Sequence, residues 1–123
     1  MPARILVVED DPGIRRVFES ILGRAGYEIA EAVDGIQALE KLEAGRFDLV
    51  ITDLVLPRAS GLQVIKWVKK KGCCPVVAMT AHWQTSPLLE EAQALGCDAM
   101  LAKPFDHEQL VNLVAEQITR RAG

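Results

Sequence analysis

The sequence predicts an α/β fold: a doubly wound, five-stranded parallel sheet with helices on both faces, formed by residues 1–123 as one domain. Three observations predict it. Short apolar runs alternate five times with segments of helical period, and serial βα units close as a parallel sheet through right-handed crossovers. Most of the runs are apolar throughout, as strands buried on both faces require. The composition permits one packed core: of 123 residues 50% are hydrophobic and 25% charged, with no repeat, linker or low-complexity tract.

The first strand is Ile5-Leu6-Val7-Val8. Ile14, Val17, Phe18, Ile21, Leu22 and Ala25 then recur as one helical face does, and Gly26 ends that helix. Tyr27 to Ala32 is a weaker strand whose Glu28 and Glu31 suit a sheet edge. Asp34-Gly35 is a turn and cap before a helix over 35–44, with Ile36, Leu39 and Leu42 facing in. Leu49-Val50-Ile51 is the third strand, ending at Asp53. Ser60 and Gln63 make a capping-box pattern ahead of Leu62, Ile65 and Val68. Val76 to Met79 is the fourth strand, and Ser86-Pro87 opens the fourth helix as cap and first position. Ala99 to Ala102 is the fifth strand. Asp106 and Gln109 then cap a last helix through Leu110, Leu113, Val114 and Ile118.

Bulk properties narrow the function. A formal charge of −3 argues mildly against binding nucleic acid or anionic lipid, which usually needs a basic face. Cys73, Cys74 and Cys97 are odd in number and carry no metal-ligand spacing, the pattern of reduced thiols. The first apolar run stops at Glu9-Asp10-Asp11, which no signal peptide or membrane span tolerates, so a cytoplasmic location is expected.

Doubly wound sheets bind ligands beyond the carboxyl ends of their strands, at the switch point in strand order. Glu9 and Asp10 follow the first strand, Asp53 ends the third, Thr80 follows the fourth and Lys103 the fifth. In the flavodoxin-like order 2-1-3-4-5 the first and third strands are neighbours, about 4.8 Å apart. Three carboxylates then share a pocket, each close pair repelling by roughly 1–4 kcal/mol. Such a cluster needs a cation, and hard oxygen donors with room for water suit Mg²⁺. A carboxylate beside Mg²⁺, a lysine and a hydroxyl is equipped to attack phosphorus and stabilise the transferring group.

The segments ILVVEDD, LVITDLVLP, VVAMTA and MLAKPF resemble, in order and nearly in spacing, the four signature blocks of response-regulator receiver domains. The resemblance covers almost the whole chain. It implies that Asp53 is phosphorylated, and that Glu9, Asp10, Asp53 and the backbone carbonyl of Val55 surround Mg²⁺. It further implies that Thr80 and Lys103 contact the phosphoryl group and that the Lys103–Pro104 bond is cis. The implied partners are a histidine kinase or histidine phosphotransfer protein and a downstream protein or output domain. Nucleic acid is not contacted directly and no membrane is entered. A homodimer through the fourth helix, fifth strand and fifth helix is allowed. The activity is self-catalysed phosphorylation and dephosphorylation, not conventional enzyme turnover. Both a free-standing receiver and a piece of a larger regulator or hybrid kinase fit.

Simpler roles account for other residues. Asp11, just before Pro12, is a helix N-cap, Cys97 a small core residue, and Lys69-Lys70-Lys71 a solvated helix end favoured by the dipole. His82 and His107 have no partner at ligand spacing. The chain departs from the family pattern at Ser60, where an aspartate is common, and at Met100, where many receivers carry a switching aromatic. The stretch from Thr80 to Lys103 is one residue longer than in chemotaxis-type receivers, and Val55 and His82 occupy positions that tune phosphoryl lifetime. The rival reading is a receiver-like interaction module that works without phosphorylation. A flavodoxin-like cofactor carrier is disfavoured by Glu9-Asp10-Asp11 in place of a glycine- and hydroxyl-rich phosphate loop. A haloacid-dehalogenase-type phosphatase is disfavoured by Val55 in place of its second aspartate.

Overall fold

The computed structural model describes residues 2–81 and 87–122. Strands β1 (Arg4–Val8), β2 (Glu28–Ala32), β3 (Leu49–Asp53), β4 (Val76–Thr80) and β5 (Ala99–Ala102) form one parallel sheet in the order β2-β1-β3-β4-β5. Helices α1 (Pro12–Arg24), α2 (Gly35–Ala44), α3 (Gly61–Lys71), α4 (Pro87–Ala94) and α5 (His107–Ala122) fill the crossovers. This is the predicted flavodoxin-like arrangement, with β2 at one edge.

Strand side chains alternate between two cores. Leu6, Val8, Val50, Val76 and Ala78 pack with Ala38 and Leu42 of α2, Val64, Ile65 and Val68 of α3 and Ala92 of α4. Ile5, Val7, Leu49, Ile51, Val77 and Met79 pack on the other face with Phe18 and Leu22 of α1 and Leu110 and Val114 of α5. Because both faces are covered, β1 from Ile5 to Val8 and β3 from Leu49 to Ile51 are apolar at every position.

Two local expectations are corrected. Ile36 does not face in: it is exposed, while Gly35, Ala38 and Leu42 make the buried stripe of α2. The turn of that stripe is set at Gly35, where a Cβ would lie 2.1 Å from the Ala59 carbonyl oxygen, so α2 approaches the β3–α3 loop through a position with no side chain. The capping box at Ser60 and Gln63 does not form either. Ser60 is the N-cap of α3 but its hydroxyl makes no capping bond; its carbonyl accepts from Gln63 N–H at 3.1 Å, and Gly61 N–H donates to Leu54 O.

The other caps match expectation. Asp11 Oδ1 accepts from the amides of Gly13 and Ile14, and Asp34 Oδ1 from Gln37. Asp106 and Gln109 form a reciprocal box, with Asp106 N–H donating to Gln109 Oε1 at 3.0 Å and Gln109 N–H to Asp106 Oδ1 at 2.7 Å. The Ser86 cap, and the role given to His82, lie outside the described residues. Cys97 is half-buried against the α3-side core. Lys69, Lys70 and Lys71 occupy the last turn of α3, with Lys69 paired to Asp98.

Candidate functional site

Pairing of β1 with β3 sets Val8 opposite Thr52, so Glu9 and Asp53 emerge side by side at the carboxyl edge. Glu9 is held there by its own backbone: its N–H donates to Ala32 O of β2, and its carbonyl accepts from Arg15 Nη1 at 2.7 Å. Asp11 caps α1 immediately afterwards, which turns the Glu9-Asp10-Asp11 loop tightly around the pocket. Asp53 Oδ1 accepts from the Val55 N–H at 3.3 Å. Carboxylate oxygens of Glu9, Asp10 and Asp53 all lie within 4.8 Å of one another.

Lys103 reaches this cluster from the β5–α5 connection. Its Nζ lies 2.7 Å from Asp53 Oδ2 and 2.9 Å from Glu9 Oε2. Its N–H bonds to Thr80 O, which ties it to the end of β4, and the Lys103–Pro104 peptide is cis. Thr80 is the half-buried last residue of β4 and lines, with Asp53, Val55 and Leu88, a cavity of about 340 Å³. Val55 itself is largely exposed. All six residues singled out from the sequence thus lie at one sheet edge: Glu9, Asp10, Asp53, Val55, Thr80 and Lys103.

Charge is crowded in little solvent. Glu9 is 1% exposed and Asp53 8%. Burial foremost, together with Asp53 nearby, raises the Glu9 carboxyl to about 7 despite the opposing pull of Lys103. The Lys103 ammonium is held above its ordinary value: its contacts with Asp53 and Glu9 outweigh the opposing effect of burial, the largest single influence on it. Three hard carboxylate donors, with Asp10 open to solvent and room for water ligands, fit Mg²⁺ better than a softer ion. Glu9, Asp10 and Asp53 are the residues that would hold it.

The sequence did not single out Arg15 or Arg58. Arg15 clamps the Glu9 carbonyl and pairs through Nε with Glu31 Oε2 at 3.6 Å. Its one sequence signal is a cation in the first turn after three acids. Arg58, with φ 69°, pairs through Nε with the α2 cap Asp34 at 3.1 Å and joins the loop after Asp53 to the β2–α2 turn. Nothing in its sequence neighbourhood marks it.

A family model described as response regulator receiver domain matches residues 5–115. The chain is 41% identical over 120 residues to the uncharacterized transcriptional regulatory protein YrkP of Bacillus subtilis, covering 98% of this chain and 51% of that protein. It is 38% identical over 109 residues to the transcriptional regulatory protein DltR of Streptococcus agalactiae, covering 88% of this chain and 48% of that one. The chain therefore spans about half the length of these curated relatives. Among solved structures, Vibrio cholerae chemotaxis protein CheY4 superposes with a TM-score of 0.85 at 33% identity, covering 95% of this chain and 99% of that one. The receiver domain of the Pseudomonas aeruginosa sensor histidine kinase PA1611, described with a magnesium ion coordinated in its active site cleft, has a TM-score of 0.87 at 29% identity, covering 97% and 99%.

Proposed function

The chain belongs to the response regulator receiver domain family, and on that premise we propose that it is a phosphoacceptor switch in which Asp53 takes a phosphoryl group from a histidine kinase or histidine phosphotransfer protein. The observation that carries this reading is the convergence of three carboxylates and one lysine on a single pocket. Residues 1–123 act as one receiver domain in the cytoplasm, without conventional enzyme turnover. Its output passes to a downstream protein or an attached domain.

Asp53 is the nucleophile. One carboxylate oxygen attacks phosphorus, the bond to the donor imidazole nitrogen breaks, and that nitrogen keeps the electron pair. Mg²⁺, when bound, supplies the charge neutralisation that lets a phosphoryl dianion approach three carboxylates. Lys103 exchanges its contact with Asp53 Oδ2 for a phosphoryl oxygen. The Thr80 hydroxyl, at the end of the neighbouring strand, donates to another. The Val55 carbonyl would offer the ion a further oxygen. Hydrogen bonds to charged groups are worth about 1.5–3 kcal/mol each, and inverting a 1:99 equilibrium takes about 5.5 kcal/mol. Two or three such contacts therefore suffice to shift the surface formed by α4, β5 and α5.

Acetyl phosphate with Mg²⁺ tests the assignment. The expected result is a single acyl phosphate mapped to Asp53 by mass spectrometry, absent without Mg²⁺ and absent in Asp53→Asn. Persistent labelling of Asp53→Asn would overturn it, and a folded, Mg²⁺-binding parent that never labels would favour the phosphorylation-independent module.

A further inference from the structure

The turn between α3 and β4 carries chemistry that the acidic pocket does not use. Gly72, in the left-handed region with φ 63°, ends α3, and Cys73, Cys74 and Pro75 follow before β4 begins at Val76. Cys73 is exposed, Cys74 half-buried, and their sulfurs are 3.8 Å apart. This is the amino-terminal edge of the sheet. Asp53 pairs with Met79 toward the opposite end of β4.

The two thiols border a cavity of about 350 Å³ that Lys69, Asp98, Gln117 and Arg120 also line. Gln117, 3% exposed, adds an amide side chain to the cavity wall. The charges favour an anion. Lys69 and Arg120 face one carboxylate, Asp98, which already accepts from the Val76 N–H at 2.9 Å and pairs with Lys69 at 3.4 Å. Lys70 and Lys71 lie just before the turn and add to the positive field.

We propose that Cys73 is the attachment site of an anionic low-molecular-weight thiol, held as a mixed disulfide with its carboxylates toward Lys69 and Arg120 and its amide toward Gln117. The donor is the disulfide form of that thiol. Cys73 gives its proton to solvent, its thiolate attacks one donor sulfur, and the donor S–S bond breaks. The departing thiolate carries the electron pair and takes up a proton. Cys74 is the resolving sulfur: by attacking Cys73 it expels the adduct as a thiolate and leaves the protein's two sulfurs joined. Cys97 is excluded. It is half-buried, burial and Asp98 push its thiol upward, and its sulfur faces Met100 Sδ at 3.9 Å.

The test incubates the full chain with oxidised glutathione, an anionic probe, and with hydroxyethyl disulfide, a neutral one, and maps adducts by mass spectrometry. The expected first adduct is on Cys73, lost in Cys73→Ser and kept in Cys97→Ser. The parent should react with the anionic probe about fivefold faster, relative to the neutral one, than Lys69→Gln/Arg120→Gln does. In Cys74→Ser the mixed disulfide should persist. No adduct, a first adduct on Cys97, or equal probe preference in parent and double variant would each overturn the proposal.

Discussion

Lys103 Nζ lies 2.7 Å from Asp53 Oδ2, so the proposed phosphoacceptor and the cation meant for its phosphoryl group are already paired at rest. The same ammonium holds Glu9 Oε2 at 2.9 Å. One lysine thus sits between two nearly buried carboxylates, and removing it leaves both without their counter-charge.

Lys103→Ala should therefore lower stability by roughly 3–5 kcal/mol in metal-free buffer, the range for breaking a buried ion pair from one side. Saturating Mg²⁺ should stabilise this variant more than it stabilises the parent, because the ion replaces the missing charge. Urea melts with and without Mg²⁺ read both effects. An equal Mg²⁺ increment in the two proteins would contradict the shared pocket.

Glu9 makes the metal-free protein pH-sensitive in an unusual direction. Its folded value, about 7, lies above the ordinary 4.5, so the folded state holds this proton more tightly than the unfolded chain does. The associated stability is full below pH 4.5 and is lost as pH rises through about 7. The loss is on the order of 3 kcal/mol, and it should vanish in Glu9→Gln. Lys103 acts in a higher window: its contribution persists below its ordinary 10.5 and is lost as pH rises through its raised value. Mg²⁺ binding below pH 7 should release a proton, measurable by calorimetry in buffers of different ionisation enthalpy.

Asp10 is the solvent-facing member of the carboxylate cluster. Asp10→Ala should fold as the parent does and bind Mg²⁺ at least about tenfold more weakly. Direct titration calorimetry of the two proteins decides, and matching affinities would remove Asp10 from the site.

Glycine positions separate packing from propensity. A Cβ on Gly61 would lie 1.9 Å from the Asp53 carbonyl oxygen, whereas one on Gly23 meets nothing within 4 Å. Gly61→Ala should cost several kcal/mol or prevent folding, since backbone must move. Gly23→Ala, in the last turn of α1, should gain about 0.5–1 kcal/mol. Thermal melts report both.

Met100 is half-buried beside Cys97 in the core beneath α3 and α4. Met100→Leu should cost less than about 1.5 kcal/mol and leave the amide shifts caused by beryllofluoride nearly intact. Thr80→Ala should blunt them. The reverse pattern would assign the switching role to the methionine.

Much of this was legible because the relevant signals are local or periodic. The apolar runs gave all five strands, and the rule that ligands gather beyond strand carboxyl ends brought Glu9, Asp53, Thr80 and Lys103 to one edge. Asp11, Asp34 and Asp106 were legible as caps because a side-chain cap acts within three residues. Ile36 was misplaced because the turn of α2 is set by a contact outside it, Gly35 against Ala59. Ser60 fitted a capping pattern, yet its carbonyl rather than its hydroxyl meets Gln63. Arg58 was invisible because its partner, Asp34, is 24 residues earlier and no pattern links the two loops. The double engagement of Lys103 likewise needed coordinates, since sequence gives a residue's edge but not the reach of its side chain.

Glu9 and Lys103 meet across 94 residues of chain, and this has a consequence for synthesis. A ribosome adding about 5–20 residues per second exposes Asp53 seconds before it has made Lys103. During that interval the aspartate has neither its ammonium partner nor the strand that carries it, and β4 has an open edge where β5 will pair. A nascent chain therefore lacks the assembled pocket until β5 has docked. Docking of β5 and assembly of this pocket become the same event, so the proposed phosphoacceptor gains its ammonium partner only when the five-stranded sheet is closed.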